Sequence, residues 1–300
     1  VNTQPSLTPL QIWTLAARPK TLPAAAAPVI AGTAVAFHDG VFSPGPALAA
    51  LLGALLIQIG TNFANDVFDY KKGADTHERL GPVRVTQAGL LKPEQVFTGM
   101  WGMFGLAVLV GVYLLAVAGW PVVWIGLFSI LAGIAYTGGP FPLGYNGLGD
   151  IFVFIFFGLV AVCGTYYVQA GTVSAGAIWA AIPMGLLATA ILAVNNLRDV
   201  ETDAKAGKKT LAVRFGVNGA RIEYDLMVGG ALLCPVLMWL TGNASPWVLL
   251  TWLTLYRAVP LIKLIYTEKG KVLNKALGGT GRMELEFALL LAVGLVLGQV

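Results

Sequence analysis

Long apolar runs separated by short polar breaks dominate this chain. Runs near the roughly 20 residues that cross a bilayer as a helix cover 21–38, 46–69, 94–118, 121–138, 150–169, 174–197, 219–241, 246–266 and 284–300. Within each run the apolar residues are continuous rather than alternating, which predicts helices and not the strands of a membrane barrel. The fold class expected is therefore all-α: a polytopic membrane protein of about nine transmembrane helices arranged around a central cavity. The connections are too short for a soluble domain, so 1–300 reads as a single intramembrane domain.

Composition strengthens that picture. Hydrophobic types make up 57% of the chain and charged residues 11%, against roughly 25% charged in an average soluble domain; mean hydropathy is +0.75. Those values exclude a soluble enzyme, a disordered chain and a disulfide scaffold. The net charge of +4 reads as lysine and arginine in loops on one membrane face rather than a nucleic-acid surface. Cys163 and Cys234 both fall inside apolar runs and behave as small hydrophobes. Val1–Ala17 lacks a basic stretch followed by an apolar core, so a mobile, partly amphipathic lead-in carrying Trp13 is expected rather than a cleavable signal.

Charge asymmetry sets an orientation. With nine spans, the N-terminal segment and the loops after spans two, four, six and eight share one side. With the adjoining helix ends they hold all nineteen Lys and Arg residues except Arg257. The opposite connections carry none, and Trp120, Trp179, Trp239 and Trp247 gather there. The positive-inside rule makes the basic side cytoplasmic.

Two loops on that side, Asn62–Lys92 and Asn195–Arg221, concentrate the chemistry and hold eleven of the nineteen basic residues. In the first, Asn62, Asn65, Asp66 and Asp69 stand at i, i+3, i+4 and i+7, one helical face, with Asp75 beyond. In the second, Asn195, Asp199 and Asp203 repeat at i+4. Asn195 follows Asn62 by 133 residues, which suggests two related helical halves, 21–138 and 150–266, with 284–300 appended. Carboxylates near membrane depth are costly unless paired or metal-bound. Two such stripes facing one cavity would repel or protonate, and hard oxygen donors of this kind suit Mg²⁺. Asn65, Asp66, Asp69, Asp75, Asp199 and Asp203 are the expected metal-holding set, with Asp69, Asp199 and Asp203 the expected catalytic residues. Lys72, Arg84, Arg198, Lys208 and Lys209 could grip the remaining oxygens of a phosphate group. Aspartates, magnesium and bases at a membrane surface point to a lipid diphosphate.

These motifs, Asn65-Asp66-x-x-Asp69 and Asp199-x-x-x-Asp203 with Gly207-Lys208-Lys209-Thr210 after it, resemble the two aspartate-rich motifs of UbiA-type intramembrane prenyltransferases. The flanking blocks Arg18-Pro19-Lys20, Arg79-Leu80-Gly81-Pro82-Val83-Arg84, Gly147-Leu148-Gly149-Asp150 and Asn195-Asn196-Leu197-Arg198-Asp199 are similar to the 1,4-dihydroxy-2-naphthoate polyprenyltransferase branch. Asp75 departs from the superfamily's more common spacing, displaced by two residues, a longer form that the naphthoate branch shares. The resemblance implies that a polyprenyl diphosphate and 1,4-dihydroxy-2-naphthoate give demethylmenaquinone, diphosphate and CO₂. It also implies a bacterial inner-membrane enzyme with its active site facing the cytoplasm and its prenyl chain lying among membrane helices.

Other residues carry two readings each. Arg18 and Lys20 could snorkel to headgroups or hold the acceptor carboxylate. Tyr136 could be an interfacial tyrosine, although the resemblance places such a residue near the acceptor. Asp150 could cap a helix or bind an acceptor hydroxyl. His77 reads as a solvated loop residue. Two competing functions stand beside the main one. The same chemistry could serve another acceptor, such as homogentisate, 4-hydroxybenzoate or a chlorin. A secondary transporter also combines repeats with intramembrane acids, but its sites favour broken helices near the midplane, not helix ends beside basic loops.

Overall fold

The computed structural model describes residues 7–74 and 79–299, and every regular element among them is helical. In chain order these are α1 (Pro9–Ala17), α2 (Leu22–His38), α3 (Pro44–Lys71), α4 (Pro93–Ala118), α5 (Pro121–Ala135), α6 (Gly149–Ala170), α7 (Ala175–Arg198), α8 (Val200–Lys205), α9 (Leu211–Leu240), α10 (Pro246–Thr267) and α11 (Leu273–Leu297). Proline opens α1, α3, α4, α5 and α10, where its missing N–H costs nothing and its fixed φ already suits the helix. Thr8, Ser174 and Thr210 cap α1, α7 and α9 by accepting a backbone N–H.

Among the described residues seven stretches are long and apolar enough to cross a membrane, the first running from Pro9 through the Pro19–Thr21 turn to His38. That is two fewer than the nine spans expected. The fourth expected span is the 15-residue α5, about 22 Å at 1.5 Å per residue, short of a hydrocarbon core of about 30 Å. The ninth is part of a longer helix that begins at Leu273. Lys275 and Arg282 break the apolar run over the part of this helix that precedes residue 284. The described end of the amphipathic lead-in, Pro9–Ala17, is a docked helix: Trp13 of α1 packs on Phe63 of α3, with ring centroids 5.6 Å apart.

Small residues let the helices approach closely, as membrane helices without a strong hydrophobic drive between them require. A Cβ on Gly158 of α6 would lie 2.7 Å from the Cα of Gly185 in α7, so only glycine fits that crossing. The main core gathers small residues of α2, α7, α9 and α11 around Tyr224, Met184 and Phe287. A second cluster seats Ala16 of α1 against Phe63, Val67, Met100 and Phe104 of α3 and α4. Near its start α9 bends at Gly216, whose φ of 73° and ψ of −176° fall where residues bearing a Cβ rarely go. The long α3 and α7 carry the two aspartate motifs to the same end of the molecule.

Candidate active site

The last three turns of α3 carry Asn62, Asn65, Asp66 and Asp69, and all but Asn65 are buried. They part company in what they touch. Asn62 donates from Nδ2 to the Ala17 carbonyl and to Thr21 Oγ1, both at 2.9 Å, which seats the turn after α1 on α3. Asn65 Oδ1 accepts the Thr137 hydroxyl at 2.9 Å. Asp66 accepts the backbone amides of Val85 and Thr86, each at 3.1 Å, with Arg18 3.9 Å away. It therefore fastens the loop after α3 to the helix. Asp69 accepts the Tyr145 hydroxyl on Oδ1 at 2.8 Å and an Arg84 nitrogen on Oδ2 at 2.9 Å.

On the facing wall α7 ends at Arg198, and the chain bends at Asp199 into the short α8. The second motif thus runs across a bend, not along one continuous helical face. Arg198 holds both carboxylate oxygens of Asp199, by Nε at 2.8 Å and through a second nitrogen. Its remaining bonds, both at 2.8 Å, go to Oδ1 of Asn195 and Oδ1 of Asn274 on α11. Asn274 in turn donates to the Leu80 carbonyl at 2.9 Å, which links α11 to the first loop. Lys208 Nζ lies 2.9 Å from Asp203 Oδ1.

These groups surround a cavity of about 250 Å³. Among the described residues its lining includes six basic side chains, Arg18, Lys20, Arg79, Arg84, Arg198 and Lys208, and three carboxylates, Asp69, Asp199 and Asp203. The balance is positive, as a site for an anion requires. Burial pushes the Asp203 carboxyl above its ordinary range; Lys208 opposes this, and Asp199 and Asp69 add to it. Lys208 loses some basicity to its own burial, but Asp69, Asp203 and Asp199 around it raise it overall. Lys72 is lowered by burial, partly offset by Asp69.

Of the other sequence candidates, Tyr136 joins this lining, and its hydroxyl lies 3.0 Å from where a Cβ on Gly149 would stand. Asp150 opens α6 beside it without lining the cavity. Lys72 donates to the carbonyls of Thr137 and Gly139, at 2.7 and 3.3 Å. The Lys209 side chain is exposed, and its backbone amide donates to the Tyr145 carbonyl at 2.7 Å. Asp75 and His77 lie outside the described residues.

Tyr145 is the residue that sequence reading missed. Besides holding Asp69, its ring has Lys72 Nζ 5.0 Å and Lys208 Nζ 4.8 Å from its centroid. One aromatic side chain from the loop before α6 thereby joins the lysines of both motifs. Its signal was weak, a tyrosine in a Gly- and Pro-rich loop, but the charge count had put that loop on the same side as the aspartates.

A second cavity, about 340 Å³ and predominantly apolar, adjoins the first. Gln58, Asn65, Tyr136, Val153 and Phe157 line both. Its walls are the inward faces of α2 to α6, from Ala25 and Val29 to Val168. The arrangement offers an anion-binding chamber opening onto a chamber for a hydrocarbon chain.

Among the described residues no three His, Cys, Asp or Glu side chains converge into a ready-made metal cage. Asp69 stands on one wall and Asp199 and Asp203 on the other, and Asn65 adds a carboxamide. This all-oxygen donor set fits Mg²⁺, which usually takes one or two carboxylates and completes its shell with substrate phosphate and water.

The UbiA prenyltransferase family profile matches residues 25–297. The 1,4-dihydroxy-2-naphthoate octaprenyltransferase of Escherichia coli K12 is 42% identical over 269 residues, spanning 87% of this chain and 86% of that protein. The enzyme of the same name from Haemophilus influenzae is 37% identical over 302 residues, 96% of this chain and 97% of that one. In fold, the chain is similar to a UbiA homolog from Archaeoglobus fulgidus bound to GPP and Mg²⁺, with a TM-score of 0.68 at 15% identity over 94% of this chain and 99% of that one.

Proposed function

The chain belongs to the UbiA prenyltransferase family, and from that premise we propose that it transfers a polyprenyl group from an all-trans polyprenyl diphosphate to 1,4-dihydroxy-2-naphthoate. The observation that carries this reading is the junction of the two cavities. A basic chamber able to take a diphosphate opens directly onto an apolar one able to take its hydrocarbon tail. The extensive identity to naphthoate prenyltransferases supports the choice of acceptor.

In this reading the donor lies with its diphosphate among Arg84, Arg198 and Lys208 and its tail below Tyr136 and Phe157. Asp69, with Asn65 beside it, and Asp199 with Asp203 are the groups that would hold Mg²⁺. When bound, the ion supplies neutralisation of the charge on the leaving diphosphate. Arg84, Arg198 and Lys208 add fixed positive charge where negative charge develops as the allylic C–O bond breaks. The apolar walls keep water from the electron-poor allylic carbon. Arg18 and Lys20, on the chamber wall made by the turn before α2, are placed to take the acceptor carboxylate, for which a guanidinium fork is well shaped. The ring carbon bearing that carboxylate forms the new C–C bond. Loss of CO₂ then returns an electron pair to the ring, so no ring proton has to be removed. The immediate product is the quinol form of demethylmenaquinone. Tyr136, at the junction, is placed to orient an acceptor hydroxyl, with Asp150 behind it. Asp66, committed to two backbone amides, serves as the anchor of the loop that carries Arg84.

The concentration of basic residues in these loops supports a chamber facing the cytoplasm, and the bacterial relatives support an inner-membrane location. Purified protein offered one prenyl diphosphate and a panel of acceptors tests the assignment. Preferential prenylation of 1,4-dihydroxy-2-naphthoate is expected, and clear preference for 4-hydroxybenzoate or homogentisate would overturn it. Magnesium-independent flux of a solute through proteoliposomes, with no prenylated product, would favour a transporter.

A further inference from the structure

Two carboxyl groups meet behind the junction of the cavities. Asp150 stands in the first turn of α6 and Glu223 on α9, and their side chains form a hydrogen-bonded pair. Asp150 Oδ1 and both Glu223 oxygens are buried, and no amide, hydroxyl or cationic side chain among the described residues donates to them. Two carboxyl groups bond each other only through a proton, and two ionised ones in contact would repel, so the pair holds one proton between its members. The neighbouring ionisable groups of α9 are turned to α10. Arg221 donates to the carbonyls of Ile265 and Tyr266, at 3.1 and 2.9 Å, and Asp225 accepts the Tyr266 hydroxyl at 2.7 Å. Glu223, two residues from each, is turned to α6 instead.

Tyr136 stands between this pair and the chamber. It lines both cavities, and Gly149, against which its hydroxyl rests, is the residue before Asp150. Burial holds the proton on that hydroxyl, and Asp150, ahead of Asp69 and Asp203, adds to the effect. Tyr136 can therefore hydrogen-bond an acceptor, but it is a poor place to leave a negative charge.

The proposed chemistry requires a proton to be lent. As the ring carbon bearing the carboxylate forms its new bond, the neighbouring hydroxyl becomes a ring carbonyl and gives up its proton, and the diphosphate leaves with the C–O electron pair. When CO₂ departs, the electron pair of its bond returns to the ring and the carbonyl oxygen takes one proton back. We propose that Asp150 accepts and returns this proton through the Tyr136 hydroxyl, and that Glu223 is the positioning residue whose hydrogen bond keeps Asp150 ionised and ready to take it. Tyr136 hands its own proton to Asp150 as it receives the acceptor's, so it is never left ionised. This inference rests on the naphthoate as acceptor.

The experiment measures kcat and both KM values for the wild type, Asp150→Asn, Glu223→Met and Glu223→Gln. Each is assayed with 1,4-dihydroxy-2-naphthoate and with an analogue fluorinated on the distal ring, whose hydroxyl is more acidic. With the naphthoate, Asp150→Asn and Glu223→Met are expected to lower kcat roughly tenfold or more while each KM stays within about twofold. The deficit should shrink by about threefold or more with the fluorinated acceptor, which gives up its proton more readily. Glu223→Gln, whose amide still donates to Asp150, should keep kcat within about threefold of the wild type. Should Glu223→Met fail to fold, Asp150→Asn and Glu223→Gln carry the test. An unchanged kcat in folded Asp150→Asn, or an equal deficit on both acceptors, would overturn the proposal. A kcat for Glu223→Gln as low as that of Asp150→Asn would overturn the role given to Glu223. Failure of the wild type to prenylate the naphthoate with any donor would instead overturn the function on which the inference rests.

Discussion

Asp69 and Asp66 show how little sequence distance separates two roles. Three residues apart on one helix, one faces the chamber under a tyrosine and an arginine, and the other is consumed by two backbone amides. Neutralising the first, by Asp69→Asn, or its counterpart across the chamber, by Asp199→Asn, is expected to lower kcat by about 10²–10³-fold, the order seen when one preorganised electrostatic group is lost. The protein should still fold in detergent, with a lower unfolding temperature, because Arg84 or Arg198 then keeps its buried charge without its carboxylate partner. Near-wild-type turnover of both at saturating Mg²⁺ would remove the two-wall site. Tyr145→Phe isolates a smaller term. It deletes the hydroxyl bonded to Asp69 and leaves the ring between Lys72 and Lys208. A loss of about 1 kcal/mol, roughly five- to tenfold, is expected to appear as a raised KM for the prenyl diphosphate. An equal rise in the acceptor KM would count against a donor-side role for Tyr145.

The helical spacing of Asn62, Asn65, Asp66 and Asp69 was legible because periodicity is a property of the chain itself. Which of them a neighbouring loop would claim was not, since the amides of Val85 and Thr86 arrive through tertiary packing. The same holds for the lysines of the second motif. Lys208 and Lys209 are indistinguishable in sequence, and only the turn after α8 decides that Lys208 faces Asp203 while Lys209 faces out.

Helix identities followed from the apolar runs, and their lengths departed where a run and a helix are different things. α5 stops at 15 residues, and α11 starts well before its apolar half. A helix packed among other helices can bury polar residues such as Thr280, at 0% exposure, in a stretch that is not continuously apolar. Close crossings were equally hidden, because a glycine in an apolar run announces neither its partner nor its distance. The α6–α7 contact at Gly158 and Gly185 provides the test. Gly158→Val would drive a side chain into the Ala181 carbonyl, 2.8 Å from the Cβ position, and into the Gly185 backbone. Rigid backbone cannot yield as a side chain would, so a destabilisation of about 1–3 kcal/mol is expected, read as a lower unfolding temperature in detergent. Gly102→Val, on α4 where a Cβ meets nothing within 4 Å, serves as the control; equal loss in both would point to general intolerance of bulk.

At the scale of the whole molecule, α3 and α7 carry the two aspartate motifs to one end, α11 is tied to the first loop through Asn274, and α2 to α6 enclose the apolar chamber. The chemistry proposed for that layout makes one demand that other prenyl transfers do not: the new bond forms at the carbon that loses its carboxylate. The direct measurement is turnover of 1,4-dihydroxy-2-naphthoate labelled with ¹⁴C in the carboxyl group, with a polyprenyl diphosphate and Mg²⁺. Released ¹⁴CO₂ and prenylated lipid are quantified in the same reaction. One CO₂ for each prenylated product, both abolished by chelation of the metal, is the predicted result. Prenylated product that retains the label, or no transfer to the naphthoate at all, would contradict the account.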